Sequence, residues 1–79
     1  MTNLDKLNNI FAEVFSVDVT VLNAGFDKNS VDSWDSVHQL SLTSAVEDEF
    51  DIMLDAEDIL SFTSYQAGIE ILIKYGVEI

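Results

Sequence analysis

The chain has 79 residues, 48% of them hydrophobic, with no cysteine and no proline. That length suits one small domain, residues 1 to 79, near the lower limit for a core that folds without a disulfide or structural metal; the missing cysteine excludes a disulfide framework, a thiolate metal site and a cysteine nucleophile. Fifteen acidic residues against three lysines and no arginine give a formal net charge of -12, which argues against nucleic acid and anionic membranes as partners and for basic patches on other proteins.

The first helix is expected from Thr2 to Phe15. Leu4, Leu7, Ile10, Phe11 and Val14 recur at three- and four-residue intervals, and Thr2 with Asp5 has the spacing of a capping box. The start "MTNLDKLNNI" has neither the basic residues nor the apolar run of a signal peptide, so a cytoplasmic location is expected. Residues 16 to 35 open with the β-branched "VDVTV", but a strand needs a partner and no second candidate exists, so this segment reads as loop. Its tail, "GFDKNSVDS", is rich in turn formers. From Asn29 to Ile73 there are ten acids and no Lys or Arg, interleaved with Leu, Ile, Phe and Trp in a way that suits a folded surface rather than a disordered tail.

A second helix is expected to begin at Asp35 or Ser36 and to end near Phe50, with Leu42, Val46 and Phe50 as its apolar stripe. Val37, Ser41, Ser44 and Asp48 then fall on nearly the opposite side, at about 100° per residue, a face open to a partner. Asp55 and Asp58 are candidate caps for a short third helix, and Thr63 with Gln66 makes a capping-box pattern ahead of a fourth that ends at Gly76. Gly68 within it costs about 1 kcal/mol relative to alanine, a cost that a close helix–helix approach is expected to offset. The expected architecture is all-α: a small four-helix bundle with a long loop between helices one and two and a short third helix.

Within "VDSWDSVHQL" the pair Asp-Ser occurs twice, at Asp32-Ser33 and Asp35-Ser36. A serine at a helix start has an ordinary use: its hydroxyl caps free backbone N–H groups, and Gln39 stands where a capping box would have it. The same position has free N–H donors and a partial positive charge, so a phosphoester there is also favoured. Ser33, three residues earlier, lacks that advantage.

"WDSVHQLSLTSAVEDEFDIML" resembles the signature of acyl carrier proteins, in which an Asp-Ser pair opens the second helix and a cluster of acids followed by Phe closes it. With the family's serine set at Ser36, the residues Leu42, Ala45, Val46, Glu47, Asp48, Glu49 and Phe50 align without a gap; setting it at Ser33 shifts the stripe by three residues. The resemblance implies that Ser36 carries 4'-phosphopantetheine, donated by coenzyme A through a phosphopantetheinyl transferase. It further implies that the arm's thiol holds an acyl or aminoacyl group as a thioester. Such a protein is a carrier with no catalytic residues and no metal site of its own. It is a monomer that meets a loading ligase or transferase and a synthase or transferase that uses the cargo.

Asp35, Val37, His38, Ser41, Ser44, Glu47 and Asp48 are the expected docking residues. His38 and Ser41 depart from the family pattern, which has an aspartate and a glutamate there in carriers of primary fatty acid synthesis. A dedicated carrier in a specialised fatty acid, polyketide, aminoacyl-transfer or polysaccharide-modifying pathway fits better. His38 is expected to be a solvated helix residue, and Trp34 to anchor the loop against the bundle, with a place beside the arm as its alternative. The acids from Glu47 to Asp58 lack a calcium-loop pattern, which limits them to weak divalent binding. The competing reading is an acidic helical adaptor without a prosthetic group, in which Ser36 only caps its helix.

Overall fold

Thr2 and Asp5 form the capping box that their spacing predicts. In the computed structural model, which describes residues 1 to 79, the Thr2 hydroxyl accepts the Asp5 N–H at 3.1 Å, and the Asp5 carboxylate accepts the Thr2 N–H at 3.3 Å. Helix α1 (Asn3–Phe15) follows and buries Leu7, Ile10, Phe11 and Phe15 along one face. It stops at Ser16, whose left-handed backbone (φ 54°) returns its N–H to the Ala12 carbonyl.

The "VDVTV" stretch forms no strand. It contains a single 3-10 turn, Val19–Val21, started by the Asp18 carboxylate accepting from the Thr20 N–H at 3.1 Å. This is a small addition to the expected loop, and its valines stay exposed. Farther on the loop is pinned at one place: Lys28 N–H donates to the Thr63 carbonyl (2.8 Å) and Tyr65 N–H to the Phe26 carbonyl (2.9 Å), making an isolated bridge between Asp27 and Ser64.

Helix α2 (Ser36–Phe50) has the expected phase. Leu42 and Val46 are fully buried, Phe50 is half-buried, and Val37, Ser41, Ser44 and Asp48 face solvent. Thr43 is buried beside the stripe, its hydroxyl donating back to the Gln39 and Leu40 carbonyls. Helix α3 (Ala56–Ser61) is capped by Asp55, which accepts the Asp58 N–H at 2.9 Å. Asp58 itself is not a cap; it is buried and turned toward the last helix.

Helix α4 (Tyr65–Lys74) is capped by Ser64 through the Ala67 N–H at 2.9 Å, which corrects the expected pairing of Thr63 with Gln66. The Thr63 carbonyl is engaged by Lys28, so the helix starts one residue later. It also ends earlier than expected, at Lys74. Gly76 adopts φ 85°, a left-handed conformation suited to glycine, while the Val77 N–H reaches back to the Leu72 carbonyl. No helix is long and apolar enough to cross a membrane.

The core is aromatic at its centre. Phe11 is fully buried, and its ring lies 5.3 to 6.1 Å from the rings of Phe15, Phe26, Trp34, Phe62 and Tyr65. Gly68 explains itself here: a Cβ at that position would come within 2.7 Å of the Phe62 ring. The close approach is made by this ring, from the α3–α4 connection, rather than by a second helix axis.

A polar cluster joins α3 to the end of α4. The Asp58 carboxylate accepts two bonds from Lys74 Nζ, at 2.9 and 3.0 Å, and one from the Tyr75 hydroxyl, which itself accepts the Asp55 N–H. The Tyr75 bond, followed by that of Lys74, holds the Asp58 carboxyl below its ordinary 3.8. The Asp58 carboxylate raises Lys74 above 10.5 and Tyr75 above 10.0.

Gly68→Ala is expected to destabilise the fold by about 1 to 3 kcal/mol, overpacking outweighing the gain in helix propensity; denaturant unfolding measures it. The charge cluster sets a pH window. Because Asp58 is depressed, its stabilisation holds above 3.8 and is lost as pH falls through the folded value; because Lys74 is raised, its share holds below 10.5 and is lost as pH rises through the folded value. Asp58→Asn should lower the melting temperature at neutral pH and flatten both arms of the profile, as thermal melts across pH would record.

Candidate functional site at the start of α2

The chain reaches α2 through consecutive tight turns. Asp27 accepts the Ser30 N–H on its side chain (2.8 Å) and the Val31 N–H on its carbonyl (3.0 Å), and the Val31 carbonyl then accepts the Trp34 N–H (3.0 Å). Trp34 is only 3% exposed, its ring 4.8 Å from Phe15 and about 6 Å from Phe11 and Phe26. It anchors the loop, as expected, and so fixes where the next residues emerge.

Asp35, not Ser36, caps α2. One carboxylate oxygen accepts the His38 N–H at 2.9 Å and lies 2.8 Å from His38 Nδ1. The backbone bond first, and the imidazole second, hold the Asp35 carboxyl below its ordinary 3.8. The capping role weighed for Ser36 is therefore filled by its neighbour. Ser36 becomes the first helical residue, exposed, with its hydroxyl uncommitted to the cap. Ser33 is also exposed, but it lies in the preceding turn, where its carbonyl accepts the Asp35 N–H at 3.0 Å. Exposure does not separate the two serines; position relative to the helix does.

Gln39 does not close a capping box either. Its Oε1 accepts the Trp34 indole N–H, and its Nε2 donates to the Ile59 and Phe62 carbonyls at 2.8 Å each. His38 is also less free than its sequence context suggests. The ring stacks on Phe15 (centroids 5.7 Å, planes 15° apart), which leaves about a third of the side chain exposed.

Of the other expected docking residues, Asp35, Val37, Ser41, Ser44 and Asp48 are exposed. Glu47 is half-buried, because its carboxylate accepts the Leu54 N–H at 2.8 Å and so holds the connection to α3. Two exposed apolar residues on α2 and α3 escaped the sequence reading: Leu40 on α2 is 66% exposed and Leu60 on α3 is 78% exposed, compared with 71% for Val37. Leu40 was recognisable, since it lies three residues from Val37 and off the Leu42–Val46 stripe. Leu60 was not, because its exposure depends on how α3 is seated.

Two open surface clefts, of about 460 and 420 Å³, lie away from this turn; one is between Asp5, Asn8 and Val19, the other between Lys6, Phe50 and Val77. No three His, Asp or Glu side chains are gathered as a metal-ligand set. No protein-family model matches the chain, and no curated protein sequence matches it. The functional reading accordingly rests on the chain's own motif and on the geometry of this helix start.

His38→Asp is expected to cost about 1 kcal/mol of stability. It removes the stack on Phe15 and sets a second carboxylate beside Asp35, which no longer has an imidazole partner. Chemical denaturation of the variant, with repulsion between the two carboxylates relieved by added salt, checks this.

Proposed function

We propose that the chain is an acyl carrier protein in which Ser36 bears 4'-phosphopantetheine. The observation that carries the reading is an exposed serine hydroxyl on the first residue of α2, free because Asp35 provides the cap. The residues present suit the group. A phosphodiester on Ser36 would lie at the positive end of the helix dipole, and the adjoining carboxylate, Asp35, is already engaged by the His38 N–H and imidazole. The hydroxyl opens to solvent, where a long arm has room to swing.

Attachment is chemistry done by a phosphopantetheinyl transferase on this side chain. Ser36 Oγ forms a bond to phosphorus as the phosphoanhydride bond of coenzyme A breaks, the nucleotide half leaves, and the hydroxyl proton passes to a base of the transferase. The arm supplies the thiol that this cysteine-free chain lacks, and with it a thioester to an acyl or aminoacyl group. The chain's own contribution is to hold Ser36 at a fixed point on a rigid turn and to surround it with a recognisable surface. Exposed Val37 and Leu40, one and four residues after Ser36 on α2, give that surface an apolar part, and a net charge of -12 draws basic partner faces toward it. Tethering a cargo to a docked carrier raises its effective concentration in the partner's site.

His38 and Ser41 leave the first half of this face without the acids of a primary fatty acid carrier, which supports a specialised fatty acid, polyketide or related pathway in the cytoplasm. The partners would be a loading ligase or transferase and an acyl-using synthase or transferase. Co-expression with a broad-specificity phosphopantetheinyl transferase, followed by intact mass measurement, tests the reading. One phosphopantetheine should be added to the native chain and to Ser33→Ala, and none to Ser36→Ala. Loss of labelling in Ser33→Ala alone would move the site; a native chain that is never labelled would leave the adaptor reading in its place.

A further inference from the structure

Gln39 joins three parts of the chain through one side-chain amide. It is half-buried, one turn into α2, and it links the long loop, through the Trp34 indole N–H, to the C-terminal end of α3, through the Ile59 and Phe62 carbonyls. Both carbonyls lie at the C-terminal end of α3, where the Ile59 carbonyl takes this bond in addition to one from the Phe62 N–H at 3.3 Å. The amide has one orientation only, since turning it over would oppose its NH2 to the indole N–H and its oxygen to two carbonyls. Helix α3 depends on such ties, because Asp58 is the only buried residue among its six. Ser36 lies three residues before Gln39, so the two are neighbours along α2.

We propose that Gln39 is a positioning residue for the modification of Ser36: its amide locks the preceding loop and the end of α3 to the first turn of α2, so that a transferase meets a single arrangement of Ser36, Val37, Leu40 and Leu60. This inference rests on Ser36 being the modified residue. Gln39 makes no contact with reacting atoms; it acts through Trp34 and through the α3 carbonyls. Without it, the aromatic contacts of Trp34 and the Asp58 cluster still hold the loop and α3 to the core, but their register against the first turn of α2 is loosened, and only a fraction of molecules present the competent surface at any moment. A binding partner then sees a lower effective concentration of carrier, which raises KM and leaves the chemical step alone.

Gln39→Glu separates this role from simple filling of space. The substitution preserves shape and keeps an acceptor for Trp34, but it removes both donors and turns a carboxylate toward two carbonyls. At neutral pH the transferase should show a KM for the variant raised about tenfold with kcat kept, and the emission of Trp34, the single tryptophan, should shift. Protonation restores one donor, so the emission difference from wild type should close as pH falls toward the carboxyl's ordinary value of about 4.3; a role in packing alone has no such dependence. Trp34→Phe removes the indole N–H and keeps a ring, breaking only the loop half of the clasp. It should raise KM about threefold, a smaller population shift, and it carries the test if Gln39→Glu does not fold. Wild-type KM in the variants, or an emission difference that persists in acid, overturns the positioning role while the carrier reading stands. A wild-type chain that the transferase never labels defeats the carrier reading, and the inference with it.

Discussion

Phe11 sits where α1, the long loop and the α3–α4 connection converge, and its ring meets five others at 5.3 to 6.1 Å. A chain of this size has few core residues, so large rings that each bury a great deal of surface are an effective way to reach a stable interior. Three of the six rings come from outside the helices: Phe26 and Trp34 from the long loop and Phe62 from the α3–α4 connection. The loop is consequently part of the core. Its two anchors bring the segment before α2 against α1, and the close fit of Phe62 over Gly68 seats α4 on the same cluster.

Around this apolar centre the remaining connections are polar and local to each junction. Glu47 holds the Leu54 N–H, Asp55 and Asp58 tie α3 to its own start and to the end of α4, and Gln39 reaches the other end of α3. No buried side-chain nitrogen or oxygen lacks a partner. Each of these bonds replaces one that water would otherwise make, so their net effect lies less in added stability than in which arrangement is allowed. An unmade bond at buried Asp58 or half-buried Gln39 would leave polar atoms short of partners, and that penalty favours one seating of α3.

The surface around Ser36 follows from both layers. Trp34, held by aromatic contacts, fixes the entry into α2; Asp35 caps the helix and leaves Ser36 exposed; Gln39 ties the C-terminal end of α3 to the first turn of α2. A molecule approaching this turn meets exposed Val37 and Leu40 on a strongly anionic protein. Charge steers the approach over a Debye length or so, and the apolar residues act only on contact.

Features that depend on neighbours three or four residues apart were legible in the sequence: the Thr2–Asp5 box, the buried stripe of α2 with its open opposite face, and the existence of four helices around a long loop. Helix geometry alone determines those relations. Choices among equivalent local candidates were not legible. Ser36, Asp35 and Gln39 all suit a helix start, as do Thr63 and Ser64, and the outcome turned on partners far along the chain: Ile59 and Phe62 for Gln39, Lys28 for Thr63. Asp58 read as a cap until Lys74 and Tyr75 came within reach of its carboxylate. The sequence by itself determined the helices and the candidate serine, because those rest on short-range periodicity and motif. Only the tertiary structure decided which polar groups cap, which clasp and which stay exposed, because a hydrogen-bonding side chain commits to the partner that burial leaves beside it.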